Sequence, residues 1–209
     1  MFKIETDVKK IKILLLAAAL LCGAMASAQT QWNAGMGYAS TSVHGEDASA
    51  FLTDLSLNGF YAGVSHEFYF SALAGLTFEP GLFFYYQSGR NAEGAKPKYI
   101  KMHSLSLPLN IKYSFELAGG VTGSFFTGPV ANVGLVGKLY EDGAFVTNTD
   151  LTDPMHALSR MSLQWNVGAA ATFAQAIQLR VGYAFGLSRL IPEEALHSNV
   201  FTVGLGFLF

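Results

Sequence analysis

Cysteine is almost missing from this 209-residue chain: Cys22 is the only one, so the chain can close no internal disulfide and build no thiolate metal cluster. Charge is scarce too, with 13 Lys+Arg against 15 Asp+Glu. That balance leaves no basic face of the kind nucleic-acid binding requires, and no nucleic-acid partner is expected. Long apolar runs are limited to Ile13–Leu21, which is short for a helix that crosses a bilayer. What is plentiful is 51% hydrophobic residues, 22 glycines and 17 phenylalanines. A chain with these contents and no second helical apolar run is either a rich all-β core or a membrane barrel.

The N-terminus reads as a targeting segment. Lys9, Lys10 and Lys12 precede the apolar run, and Ala26-Ser27-Ala28 follows it, the order of a secretory signal peptide with an A-x-A site. Cleavage after Ala28 is expected, giving a signal peptide over 1–28 and a barrel domain over 29–209. Cys22 leaves with the signal. Lipid anchoring is rejected because Leu20 and Leu21, not small residues, precede that cysteine. The domain left behind is mildly acidic, because residues 1–28 hold more basic than acidic side chains.

Past residue 28 the dominant pattern is alternation with a period of two, in segments separated by polar or Gly-rich breaks. It is clearest where Phe201, Val203, Leu205, Phe207 and Phe209 alternate with Thr202, Gly204 and Gly206. Similar alternation runs through Ile177–Gly186, Leu163–Phe173 and His103–Phe115. Weaker segments fall at about 31–41, 57–70, 75–88 and 121–135, the last with no clear facing. Eight strands result. Their connections are long near 42–56, 89–101, 136–160 and 188–197, and short near 71–74, 116–120 and 174–176. An even strand number with turns short on one side and long on the other is the signature of an eight-stranded antiparallel transmembrane β-barrel.

The identity of the two faces supports that choice over a soluble ligand-binding barrel. The polar face is mostly Gly, Ser, Thr, Asn and Gln, as suits a crowded lumen, since eight strands enclose a space just wide enough for side chains to fill. The aliphatic and aromatic face then meets outer-membrane lipids. Trp32, Phe68, Phe70, Tyr113, Phe115 and Phe173 gather near short-turn strand ends, where an interfacial girdle belongs.

Several segments carry a family likeness. Asn58-Gly59-Phe60-Tyr61-Ala62-Gly63-Val64, Phe78-Glu79-Pro80-Gly81-Leu82, Leu107-Pro108-Leu109-Asn110-Ile111-Lys112-Tyr113, Thr127-Gly128-Pro129 and Arg180–Leu187 resemble the PorT-like family of small bacterial outer-membrane β-barrels. The likeness ends in Gly204-Leu205-Gly206-Phe207-Leu208-Phe209, similar to that family's closing strand. It implies an eight-stranded barrel in the bacterial outer membrane. The family is functionally mixed, with some members required for protein secretion. In outer-membrane proteins that it resembles, a strand like the one bearing Leu205, Phe207 and Phe209 is read by the barrel-assembly machinery.

No catalytic, cofactor or metal site is expected. His197-Ser198-Asn199 is the most tempting constellation, because some small barrels that deacylate lipid A use a His and a Ser. Nucleophilic catalysis needs the two hydrogen-bonded, whereas neighbours on a strand point to opposite faces, so a lipid-modifying enzyme is the alternative reading. His44, His103, His156 and His197 lack the paired spacing of a zinc site. Glu141, Asp142, Asp150 and Asp153 lack a calcium-loop pattern.

Two features remain. Pro80, Pro108 and Pro129 fall inside strands three, four and five at similar depth, and each removes a ladder donor. A wall so weakened is where another envelope protein would dock. Glu67, Glu79, Lys112 and Arg180 face inward on strands two, three, four and seven. Glu79 is expected opposite Lys112 across one hairpin, Glu67 diagonal to Glu79, and Arg180 across the lumen. Two acids facing two bases is the arrangement that permits burial, and it predicts a lumen plugged by charge.

Overall fold

The computed structural model describes residues 30–44, 56–70, 73–91, 98–141, 144–148, 161–188 and 197–209. The expected signal peptide at 1–28 lies outside them, as do His156, Asp142, Asp150 and Asp153. Strands run β1 Thr30–His44, β2 Ser56–Tyr69, β3 Leu76–Asn91, β4 Lys98–Glu116, β5 Val121–Glu141, β6 Ala144–Asn148, β7 Met161–Phe173, β8 Ile177–Gly186 and β9 His197–Leu208.

Eight of these strands form one wall in the order β4-β3-β2-β1-β9-β8-β7-β5, and β5 pairs back onto β4, so the sheet is closed. Each neighbouring pair is antiparallel. Closure satisfies every strand edge from within, which hydrocarbon demands. Thr30 stands opposite Phe68 and Asn33 opposite Leu208, so β1 begins and β9 ends on the side of the short turns. The turn between β7 and β8 is held by Ala176 N–H donating to Phe173 O at 3.1 Å. Its central residues Ala174 and Gln175 have φ of 49° and 58°, the primed geometry that matches strand twist in two-residue hairpins.

The strands exceed their expected lengths on the long-connection side. Residues 89–91 and 98–101, expected as connection, extend β3 and β4, and β5 continues to Glu141 through a stretch expected to be loop. The sixth strand pairs Lys138–Glu141 alone and adds a hairpin above the wall. Alternation weakens there because no buried face enforces it once strands leave the lipid.

The apolar face points outward. Met36, Phe125, Leu205 and Phe207 are each more than half exposed, and the buried set is largely Ser, Thr, Asn, Gln and the charged residues. That inversion of a water-soluble core rules out the soluble barrel. The girdle is built from contacts: Trp32 meets His66 edge-on at 4.4 Å, His66 meets Phe68 at 4.3 Å, and Phe115 stacks on Phe125 at 5.6 Å.

The missing facing of β5 has two causes. Phe126 and Val130 are buried in the lumen while Phe125 and Val133 face out, so large apolar residues occupy both faces. A bulge follows: His103 is opposite Val136 but Ser104 is opposite Gly134. Leu135 is the extra residue, and both Leu135 and Val136 are exposed.

Pairing is interrupted beside the prolines. The β3–β4 ladder breaks between Pro80↔Leu109 and Phe83↔Ser106, the β4–β5 ladder between Pro108↔Val130 and Ile111↔Thr127. The β2–β3 ladder stops at Ser65↔Gly81 and resumes at Phe68↔Phe78, on either side of Pro80. Proline brings no N–H to a ladder, so three adjacent strand pairs lose bonds at one level.

Candidate functional site

Alternation on four separate strands carries Glu67, Glu79, Lys112 and Arg180 into the short-turn half of the lumen. Glu67 and Glu79 are 1% exposed and Lys112 3%. Lys112 Nζ pairs with Glu67 Oε1, and Tyr69 Oη lies 3.0 Å from Glu67 Oε2. Arg180 Nη1 lies 2.6 Å from Glu79 Oε1, which also accepts from Ser65 Oγ at 2.8 Å.

The partners differ from the expectation for Lys112. The register sets Asn110 opposite Glu79 and Thr77 opposite Lys112, so Lys112 reaches over β3 to the carboxylate on β2. Glu67 is level with Glu79, not diagonal to it, because Ser65↔Gly81 and Phe68↔Phe78 bracket the pair. Two carboxylates side by side on one wall repel unless each has its own cation. Lys112 supplies one from the next strand, and Arg180 supplies the other from the far wall. Burial of such ions is tolerable only with close partners and further hydrogen bonds. Glu79 Oε2 and Thr77 Oγ1 remain buried without a hydrogen-bond partner.

Arg180 has a second support that sequence reasoning missed. Its guanidinium carbon sits 3.8 Å from the centroid of the Phe126 ring, a cation–π contact that gains strength away from water. Phe126 lies in the lumen because Gly168 leaves room for it: a Cβ there would collide with Phe126 Cζ. Gly204 does the same for Tyr61. Tyr61 in turn stacks on Tyr85 at 5.4 Å and meets Phe83 edge-on at 5.8 Å. The lumen therefore pairs rings from some strands with glycines from others. The one available signal was the Phe125-Phe126 doublet, which alternation cannot place entirely on the lipid side.

Polar links fill the space on both sides of the ion pairs. Toward the short turns, Asn33 Nδ2 donates to Gln178 Oε1 at 3.1 Å and Gln178 Nε2 to Thr172 Oγ1 at 3.2 Å. Toward the long connections, Gln164 Nε2 donates to Ser198 Oγ at 3.1 Å, and Gln87 Nε2 to Thr41 Oγ1 at 2.7 Å.

Residues 197–199 open β9. Ser198 is buried and bound to Gln164, while Asn199 Oδ1 accepts from Gly186 N–H at 3.1 Å. His44 and His197 are Cα partners. Among the described residues, no group of three or more His, Cys, Asp or Glu could hold a metal ion. Leu205, Phe207 and Phe209 all face outward. Phe209 N–H donates to Trp32 O at 2.9 Å and Trp32 N–H to Phe209 O at 3.0 Å, closing β9 onto β1.

Known proteins fit this geometry. The Ail attachment invasion locus protein of Yersinia pestis, solved with the heparin analogue sucrose octasulfate, is similar in structure, with TM-score 0.50 and 13% identity over 87% of this chain and 99% of that one. Neisserial surface protein A aligns with TM-score 0.48 and 15% identity over 85% of this chain and 96% of that one. The outer-membrane enzyme PagL aligns with TM-score 0.41 and 13% identity over 86% and 98%. No curated protein sequence matches the chain. The model of the outer membrane protein beta-barrel domain matches residues 14–209. With its closed eight-stranded wall and lipid-facing apolar surface, this chain belongs to the outer membrane protein β-barrel domain family and resides in the bacterial outer membrane.

Proposed function

We propose that this protein is a non-conducting, non-enzymatic scaffold of the outer membrane with a structural, adhesion or secretion-accessory role, of the PorT-like kind. The observation that carries the reading is the Arg180–Glu79 pair, 2.6 Å apart between opposite walls. A barrel crossed in the short-turn half of its lumen by an ion pair, with a second pair beside it, is plugged by charge, and its work then falls to its surfaces. One such surface is the wall beside Pro80, Pro108 and Pro129, where broken ladders suit docking by another envelope protein. In this reading residues 1–28 are a signal peptide, and Leu205, Phe207 and Phe209 present the strand that the assembly machinery reads.

The test is purification of the full chain from native membranes in mild detergent, beside a lipid A mass profile of a strain lacking it. The scaffold reading expects a stoichiometric envelope partner and an unchanged lipid A profile. A changed profile replaces it with the lipid-modifying enzyme.

A further inference from the structure

Above the ion pairs the lumen wall is largely bare of side chains. Inward-facing glycines partner one another across three separate strand pairs: Gly35 with Gly63, Gly37 with Gly204, and Gly168 with Gly182. A glycine brings nothing to the interior of a barrel, so this belt leaves a volume that side chains from elsewhere must fill. Rings fill only its rim. A Cβ on Gly63 would stand 2.7 Å from Phe83 Cδ1, one on Gly81 2.7 Å from Phe83 Cε2, and one on Gly37 2.9 Å from Tyr61 Cε1. Phe126 is pressed against Gly168 in the same way. Rings this close to the backbone lie along the wall, not across the lumen. Tyr85 stacks on Tyr61, its Cα partner, with the planes 21° apart, and continues the same lining.

The belt is closed on both sides. Below it stands the Arg180–Glu79 pair. Above it Gln87 Nε2 donates to Thr41, while Gln164 accepts from Asn132 and donates to Ser198, and both glutamines, Thr41 and Ser198 are buried. Between these two layers four inward side chains keep open surface: Phe83, Tyr85, Asn166 and Arg180, the last 17% exposed. Open surface between two closed layers borders an internal chamber.

The geometry points to a binding chamber for one small, neutral aromatic molecule with a single hydrogen-bonding group, of the phenol class. A few polar groups in a ring-lined space are what such a ligand requires. Its ring lies against Phe83 and Tyr85, in the offset or edge-on contact that ring quadrupoles favour, and against the part of the Arg180 guanidinium that Phe126 leaves open. Its polar group meets Asn166, whose amide has only a 3.4 Å link to Asn110 Oδ1. The ligand is neutral because Arg180 and Glu79 already neutralise each other, and a further buried ion would have no partner. Entry is from the long-connection side, where the closing layer is held by neutral hydrogen bonds, individually weak, whereas the layer below is ion-paired. The chamber is a dead end, so it adds a ligand to the barrel without making it a channel.

The experiment uses the full-length folded protein in detergent micelles, with 4-fluorophenol as the probe and fluorine NMR as the readout. The wild type should give a saturable shift, beyond that of protein-free micelles, that fits one probe per barrel. Tyr85→Leu and Asn166→Leu should each weaken binding about fivefold, the loss of one ring contact or one hydrogen bond. Phe201→Leu, which changes a lipid-facing ring, should leave it unaltered. Heat-modifiable gel mobility reports whether each variant folds, and Phe83→Leu, with the same expected loss, replaces one that does not. A wild type with no saturable shift overturns the proposal, since its chamber then holds water only. So does binding that Phe201→Leu abolishes and Tyr85→Leu leaves intact, which puts the probe on the lipid face, or tighter binding of 4-fluorobenzoate, which assigns the chamber to an anion.

Discussion

Arg180 Nη1 lies 2.6 Å from Glu79 Oε1, although β8 and β3 stand on opposite sides of the eight-stranded wall and the residues are 101 positions apart in sequence. The contact spans the lumen, and the Phe126 ring beneath the guanidinium sets its height. Loss of Arg180 strands a buried carboxylate. Arg180→Ala should therefore destabilise the folded barrel by about 3–5 kcal/mol, whereas Glu79→Gln with Arg180→Met together should cost less than the two changes summed. Urea unfolding in lipid vesicles measures both.

Lys112 belongs to Glu67, not Glu79. The double variant Glu67→Gln/Lys112→Met should show a coupling energy of roughly 1 kcal/mol or more, and Glu79→Gln/Lys112→Met a smaller one. A double-mutant cycle with the larger coupling on Glu79 would mean that Lys112 changes partner.

Ring and glycine are complementary at Phe126 and Gly168. Gly168→Ala should cost about 1–3 kcal/mol by overpacking. In a Phe126→Leu background the same change should cost less, since the colliding Cζ is gone, the remaining cost being the clash of the new Cβ with the Val181 carbonyl oxygen. Equal costs in both backgrounds would place the strain elsewhere.

The β7–β8 turn holds two non-glycine residues at positive φ, each disfavoured by roughly 1–2 kcal/mol in that region for an ordinary side chain. Ala174→Asn/Gln175→Gly supplies the residues primed turns prefer. It should stabilise the barrel by about 1 kcal/mol, read as a higher urea midpoint at constant slope. A lower midpoint would show that positive φ at these two positions carries no strain that Asn and Gly relieve.

These particulars mark how far the sequence was legible. Alternation along β4, β7, β8 and β9 gives the outward and inward faces directly, because lipid on one side and a crowded lumen on the other leave little freedom. Strand order alone then sets Arg180 across from Glu79. The partner of Lys112 depends on cross-strand register, and a shift of two residues puts Thr77 in place of Glu79 opposite it with no trace in the pattern. β5 stayed ambiguous because Phe126 breaks the polar-in rule in order to seat a cation, and the Leu135 bulge then reverses the parity. The strand extensions above the membrane were invisible because no apolar face imposes a period on them.

Planar-bilayer recording with the purified, folded protein reads the proposed charge seal of the lumen. The wild type should show no steady conductance, and Arg180→Ala, in which the cross-lumen pair is gone, intermittent openings. Stable, long-lived channels from the wild type would contradict it.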